Sequence, residues 1–408
     1  MKLLYFHQHF STPKGSTGTR SYEMALRCLK EGHEVVMVCG SYSDGNTGLT
    51  NPFKWGCRSG IVDEIKIIEF NLSYSNSDGF IKRSSLFLLF ALRSIFIALT
   101  YNYDILFATT TPLTAGIPGI FARWIRRKTF VFEVRDLWPE LPKAMGVITN
   151  PIVLNLMVFL EYVSYKSAHR LIGLSPGICD GIALRGISNE KIIEISNGCD
   201  LELFSNQSNA WRPPEIKESD LILIYSGTHG IANGLDSVLN AVKILNERGI
   251  SGYQILLIGN GREKQSLMNI ANIQSLKSHI VFMDPISKEK LVGLLNASDV
   301  GLQILANVPA FYYGTSPNKF FDYLAAGLPV LTNYPGWVAD LIEINKCGFS
   351  CGGDDASLFA DQIETILLNK QLLKNMGSNA KALAAKEFNR SILSQYWVGW
   401  VFDGIKLN

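Results

Sequence analysis

The 408-residue chain has little excess charge, no cysteine framework and no unbroken bilayer-length apolar run. Lys and Arg number 38 against 36 Asp and Glu, a net charge of +2, which removes the general electrostatic case for a nucleic-acid partner. The seven cysteines, at 28, 39, 57, 179, 199, 347 and 351, show no paired spacing. Cys347 and Cys351 are the one close pair and lack the second pair that a zinc site needs. They read as reduced thiols of a cytoplasmic protein. No Asp-x-Asp pair stands in a loop suited to a Mg²⁺- or Mn²⁺-held nucleotide. The longest apolar stretch, 84–100, contains Arg93 and falls short of the ~20 residues that span a bilayer. It reads either as a helix buried under a sheet or as one lying along a membrane interface. Lys82-Arg83 and the cluster Arg123, Arg126, Arg127 and Lys128 flank apolar segments, which suits an anionic lipid surface. Residues 2–6 read as a first core strand rather than a leader.

What is present is a globular composition, 47% hydrophobic, on a chain too long for one core. Strand and helix alternate in the first half. Strands are expected over 3–6, 34–39, 105–108, 129–133 and 170–174. Helices are expected over 21–31, 84–100, 113–126 and 152–168, with a loop-rich insert up to about residue 78. The pattern restarts with strands over 221–225, 254–258, 280–283 and 300–303, and helices over 235–248, from 263 and over 288–297. Successive β-α units with near-continuous apolar strands imply two doubly wound parallel sheets. The expected domains are 1–203 and 204–390, joined near 203–214. An aromatic helix over 392–405, within a closing segment 391–408, is expected to cross back onto the first domain.

The chemistry concentrates in 315–331, TSPNKFFDYLAAGLPVL. A turn at Ser316, Pro317 and Asn318 opens a helix whose exposed N–H groups and partial positive charge suit a diphosphate. Lys319 adds a full charge there, and Asp322 is placed to grip a hydroxyl, so a nucleotide-sugar fits. Gly227-Thr228-His229-Gly230 follows a strand and offers backbone amides to phosphates. Gly259-Asn260-Gly261 is a second close-approach turn at a strand's carboxyl end. In the first half Gly15 and Gly18 open a loop leading to Arg20, which is placed to meet an anion. Arg135 and Asp136 sit in RDLWPE after a strand, either binding phosphate and sugar or activating an acceptor hydroxyl. His7 and His9 end the first strand, and without further ligands an acceptor contact fits them better than a metal.

These segments resemble retaining glycosyltransferase family 4 along nearly the whole chain. The matching features, in family order, are the Gly-rich loop before TRSYEMALRCLKEGHEVVMV, Ser175-Pro176 after LIGL, Asn197-Gly198-Cys199-Asp200 with Phe204, Gly259-Asn260-Gly261, LVGLLNASDVGL and SPNKFFDYLAAGLPV. RDLWPE together with SPNKFFDYLAAG is similar to the WbuB-type fucosaminyltransferase subgroup. The resemblance implies a GT-B fold, a donor held by the second domain and an acceptor facing the first, with Gly15, Gly18, Arg20, Arg135 and Asn197 on the acceptor side. Gly227, His229, Gly230, Asn233, Gly259, Gly261, Ser316, Pro317, Asn318, Lys319 and Asp322 fall on the donor side. Asp136, His9 and Lys319 become the catalytic candidates. The family's first acidic residue of E-x7-E falls on Gly314 and its second on Asp322. Its phosphate-clamp Arg and Lys fall on His229 and Asn233, so Lys319 and Arg135 carry more of the diphosphate.

The implied reaction moves an amino-deoxysugar (N-acetyl-L-fucosamine or similar) from a UDP-sugar to a lipid-linked (undecaprenyl diphosphate) saccharide for O-antigen or capsule. It implies no metal or bound cofactor and a peripheral place on the cytoplasmic face of the inner membrane. A nucleotide-sugar 2-epimerase of the same fold and a non-catalytic assembly subunit remain as alternatives.

Overall fold

The computed structural model describes residues 1–75, 78–205, 209–353 and 355–404. It divides into two compact units. The first is Met1–Ser196 with Tyr313–Ser316 and the chain from Ser391, and the second is Asn197–Tyr312 with Pro317–Arg390. The changeover thus falls seven residues before the expected 203, where the apolar sheet of the first unit ends. Part of the expected joining segment, 206–208, lies outside the described residues.

Among the described residues the first unit carries eight strands: β1 (Lys2–Phe6), β2 (Glu34–Tyr42), β3 (Cys57–Val62), β4 (Ile65–Tyr74), β5 (Ile105–Thr109), β6 (Thr129–Val134), β7 (Arg170–Gly173) and β8 (Ile192–Glu194). Their order is β3-β4-β2-β1-β5-β6-β7-β8, all parallel except the β3–β4 hairpin. Leu3 to Phe6 of β1 are fully buried, as a central strand covered on both faces requires. The hairpin corrects the expectation of a loop-rich insert. Asp63 and Glu64, both at positive φ, make its tight turn. The alternation Ile65, Ile67, Leu72 and Tyr74 inward against Lys66, Asn71 and Ser73 outward is a strand signal that the surrounding Ser and Asn obscured.

The expected 392–405 helix runs Arg390–Phe402, and residue 405 lies outside the described residues. It belongs to the first unit, where Trp397 stacks on Tyr5 with ring centroids 5.9 Å apart and Phe402 stacks on His33 at 3.8 Å.

The second unit is a six-stranded parallel sheet: β9 (Leu221–Ser226), β10 (Tyr253–Ile258), β11 (Ile280–Met283), β12 (Val300–Gln303), β13 (Val330–Thr332) and β14 (Gly348–Ser350). The order β11-β10-β9-β12-β13-β14 reverses direction between β9 and β12. Loops leaving the carboxyl ends of strands at such a reversal form the natural ligand crevice of a doubly wound sheet. In the first unit the reversal lies between β1 and β5.

Candidate functional site

The helix Asn318–Ala326 is seated because Gly301 leaves room for Tyr323. A Cβ on Gly301 would lie 2.3 Å from that ring. Tyr323 Oη in turn accepts the Ser226 N–H at 3.2 Å and donates to the Leu302 carbonyl at 3.3 Å. The helix starts at Pro317, where no side chain caps it, and Asn318 is exposed.

Lys319, one residue in, reaches across to the end of β9. Its Nζ lies 4.5 Å from the Tyr225 ring centroid and donates to Tyr225 Oη at 3.4 Å. Among the described residues no carboxylate pairs with it within ion-pair distance. Burial pushes its pKa down to about 8, because a low-dielectric setting disfavours the charged form. Gly227 makes room for this ammonium: a Cβ there would sit 3.0 Å from Lys319 Cε and 3.2 Å from Tyr225 Oη. Tyr225 Oη donates to the Thr228 carbonyl at 2.9 Å and is hydrogen-bonded by Asn233. Tyr225 is the hub that sequence reading missed; as an apolar-looking strand position it carried no separate signal. Lys319, Gly227 and Asn233 therefore meet at the sheet reversal, around one buried phenol.

Other expected donor residues have different surroundings. The glycines of the second turn serve loop-on-loop packing: a Cβ on Gly259 would fall 1.8 Å from the Gly227 carbonyl oxygen, and one on Gly261 would fall 2.3 Å from that of His229. The His229 N–H donates to Asn260 O at 2.9 Å, and its carbonyl accepts the Glu263 N–H at 2.9 Å. A Cβ on Gly230 would make only ordinary contacts. The His229 ring is fully buried, with neither ring nitrogen hydrogen-bonded, so it is not presented to a ligand as expected. Burial, with Lys264 and Lys319 nearby, lowers its pKa to about 4, which keeps it neutral.

Asp322 also departs from expectation. Its buried carboxylate is taken by Lys288, whose ammonium also lies 5.6 Å from the Phe204 ring centroid. The pair ties the helix Lys288–Asn296 to the helix Asn318–Ala326. Ser316 is half-buried and Gly314 buried; the nearest contact of a Cβ on Gly314 would be Leu137 Cδ1 at 3.9 Å.

Asn197 lies in a clasp rather than at an acceptor face. Arg390 Nη2 donates to the Gly198 carbonyl at 2.8 Å and its Nε to that of Asn197 at 3.4 Å, while Nη1 pairs with Asp200. Cys199 N–H donates to Phe388 O at 2.8 Å, and Arg390 N–H returns to Cys199 O at 3.0 Å. The segment thus knots the second unit where the chain enters and leaves it.

In the first unit the expectation that Arg20 meets an anion fails. Its guanidinium is 1% exposed and fully engaged. Nε and Nη2 contact Glu133 at 3.0 and 2.9 Å, Nη2 donates to Ile195 O at 2.9 Å, and Nη1 donates to Ser196 O. Glu133 also accepts from Thr109 Oγ1 at 2.8 Å, Arg135 Nε at 3.1 Å and Trp397 Nε1 at 3.3 Å. Burial alone would raise Glu133, but Arg20 and Arg135 outweigh it and hold the carboxyl below its usual range. Arg135 is half-buried, its Nε donating to Thr109 Oγ1 at 2.7 Å and its Nη2 to Ser21 Oγ at 2.8 Å.

Asp136 accepts from Thr111 Oγ1 at 3.0 Å, and burial pushes its carboxyl up against the pull of Thr111 and Arg135. His9 lies among Tyr74, Tyr42 and Phe87, 4.5, 5.2 and 6.1 Å away, and burial beside Arg135 and Arg83 lowers its pKa to about 3. His7 is buried and likewise held neutral by burial, Arg135 and His9. Gly15 packs on Ser11 and Asn46, and Gly18 is exposed.

Beside these groups, the hairpin and the end of β2 enclose a pocket of about 310 Å³ lined by Phe10, Tyr42, Asn46, Phe53, Arg58 and Asn71 among others. Its Arg58 charge is neutralised by Glu69 at 2.8 Å and lies 4.4 Å from the centroid of the Phe53 ring.

Residues 207–383 match the family model described as "Glycosyl transferases group 1", and 15–198 that described as "Glycosyl transferase 4-like domain". N-acetyl-alpha-D-glucosaminyl L-malate synthase of Bacillus anthracis is 25% identical over 183 residues, 44% of this chain and 45% of that protein; the chain spans a little under half the length of this curated relative. Among solved structures, sucrose-phosphate synthase from Thermosynechococcus elongatus superposes with a TM-score of 0.76 at 17% identity over 97% of both chains. Anabaena HepE in complex with UDP-glucose superposes with a TM-score of 0.67 at 16% identity, over 97% of this chain and 98% of that one. With the two matched segments dividing nearly the whole sequence between them, the chain belongs to the group 1 and 4-like glycosyltransferases and has their two-domain α/β GT-B fold.

Proposed function

We propose that the protein transfers an amino-deoxysugar, N-acetyl-L-fucosamine or a close analogue, from its UDP derivative to a hydroxyl of a lipid-linked saccharide. The product would serve bacterial O-antigen or capsule assembly, and the transfer would be retaining. The observation that carries the reading is the Lys319 ammonium, unmatched by any carboxylate among the described residues. It stands over Tyr225 at an uncapped helix start, beside the glycine turn of the sheet reversal. Departure of a diphosphate from an oxocarbenium-like centre is the costly step, and donors fixed in advance on the leaving oxygens lower it most. Lys319 and the amides that open its helix supply that role without a resident metal or cofactor.

On the acceptor side Asp136, with its raised pKa and its bond to Thr111, is the better proton acceptor. His9 is too weak a base, at about 3, to take a hydroxyl proton efficiently near neutrality. The sugar identity follows the RDLWPE and SPNKFFDYLAAG segments, and the acceptor saccharide suits the aromatic and amide-lined pocket around Phe53 and Asn71.

The test is titration of UDP and of a set of UDP-sugars by calorimetry and thermal shift, followed by transfer assays with lipid-linked saccharide. Loss of the Lys319 ammonium should weaken UDP binding at least about tenfold, and UDP should appear only when acceptor is added. A crystal soak placing UDP away from Lys319 would overturn the proposal, as would isomerisation of the donor without any acceptor.

A further inference from the structure

The first unit presents a broad apolar face unrelated to the donor site. The helix Phe80–Thr100 is apolar enough to cross a membrane by composition, but one side of it is committed to the protein. Phe90, Ala91, Ser94 and Ala98 are buried, and Arg93 Nη1 donates to Gly56 O at 3.0 Å. The helix therefore lies flat on its sheet. Its outer stripe, Leu88, Leu92 and Phe96, repeats every four residues and is exposed.

Two neighbouring helices continue that stripe. Trp124 and Ile125 end the helix Ile117–Ile125, which packs beside Phe80–Thr100, and Leu156 and Phe159 stand on Pro151–Ser167, which packs beside Ile117–Ile125. Phe96 is 67% exposed, Trp124 66% and Phe159 66%. Three bulky side chains presenting two-thirds of their surface to water on adjoining helices are more than the isolated apolar residues that any surface carries.

Charge identifies what covers this face. The three helices contain a single acidic residue, Glu161, and it is buried against Arg185. Arg123, Arg127 and Lys128 stand beside Trp124 and Ile125, Arg127 being exposed. At the far end, Lys82 is the one rim cation in an ion pair among the described residues, with Asp78 at 2.7 Å. A two-fold contact with another copy would set this uncompensated cationic rim against itself. An anionic bilayer offers both an apolar interior and opposite charge.

We infer that the helices Phe80–Thr100, Ile117–Ile125 and Pro151–Ser167 together form an in-plane docking face that seats the first unit in an anionic lipid surface, with Phe96, Trp124 and Phe159 entering the acyl boundary. On the proposed function, such seating would bring the enzyme to its lipid-borne acceptor.

The test is sedimentation of the full-length protein with phosphatidylcholine vesicles, with and without phosphatidylglycerol. The wild type should pellet with the anionic vesicles and be released by salt. Phe96→Ser, Trp124→Ser and Phe159→Ser combined should weaken binding at least tenfold while the cooperative melt is kept, its midpoint lowered only slightly by loss of the Trp124 Nε1 hydrogen bond to Ser167 Oγ at 2.9 Å. Arg123→Gln, Arg127→Gln and Lys128→Gln combined should remove the preference for anionic vesicles, about fivefold per charge. Lys319→Ala should bind vesicles normally, which separates this inference from the donor site. Failure of the wild type to bind anionic vesicles would overturn it, as would full binding by both triple variants. So would a lipid-free dimer dispersed by the Phe96, Trp124 and Phe159 substitutions, which would assign the face to a second copy.

Discussion

Replacing Lys319 by Met should make the free protein more stable and the enzyme nearly dead. Burial lowers the ammonium's pKa from 10.5 to about 8. The unfolded chain therefore binds this proton more tightly, and stability rises with pH between about 8 and 10.5. At neutral pH the folded protein carries the cost of a poorly solvated charge. The shift corresponds to at most ~3 kcal/mol; partial exposure and the Tyr225 ring reduce the net to about 1–2 kcal/mol. Met fills the same channel without charge, so the melting temperature should rise by roughly 2–8 °C for a unit of this size.

Affinity for UDP should move the other way. A charge-assisted bond contributes about 1.5–3 kcal/mol, so UDP should bind roughly 10- to 150-fold more weakly, and turnover should fall about 10²- to 10³-fold. In the wild type, UDP affinity should be flat below pH 8 and drop about tenfold per unit above it as the ammonium deprotonates. Lys319→Arg should flatten that profile. Scanning calorimetry and UDP titration across pH check all of this. A Met variant that melts lower and still binds UDP would refute the assignment.

Glu133→Gln should cost about 3–5 kcal/mol by chemical denaturation, because Arg20 and Arg135 would be left buried without their counter-charge. His229, held at about 4 against an ordinary 6.5, should cost the protein about 2 kcal/mol between pH 7 and 5 as the unfolded form takes up its proton. His229→Leu should shallow that acid slope while leaving UDP affinity within about threefold. Asp322→Ala should destabilise the second unit by about 3–5 kcal/mol through the orphaned Lys288, with Lys288→Met in the same chain restoring much of the loss. Asn71→Ala should raise the KM for acceptor several-fold without changing UDP affinity, which transfer kinetics would read.

Periodicity in the sequence conveys the two sheets well, because a strand covered on both faces must be apolar almost throughout, as in β1 and β9. It conveys the β3–β4 hairpin badly, since an edge hairpin alternates polar and apolar residues and its turn uses Asp63 and Glu64 rather than glycine. The chemistry divides in a similar way. Lys319 is legible because a lysine at a helix start following Ser-Pro-Asn has few structural reasons to be there. Arg20 and Asp322 read as ligand-facing for the same reason, and the reading fails because their partners lie far off in the chain: Glu133 is 113 residues from Arg20, and Lys288 sits on another helix. A charged residue in a glycine-rich setting looks the same in sequence whether its counter-ion is a substrate or a distant side chain. Tyr225 was invisible for the opposite reason, since its hydroxyl is the only polar atom of a side chain that otherwise belongs to the core.

The position of Trp397 has a consequence for biosynthesis. On the ribosome, residues 1–196 emerge before the second unit, yet the ring that stacks on Tyr5 and the indole N–H that reaches Glu133 are made only after it. The second unit, with its ends knotted together by Arg390, can mature while the earlier-made half still waits for the helix Arg390–Phe402. A nascent chain stalled near residue 390 would thus hold one finished domain and one with an open seam, and that seam is where a chaperone or protease should first find it.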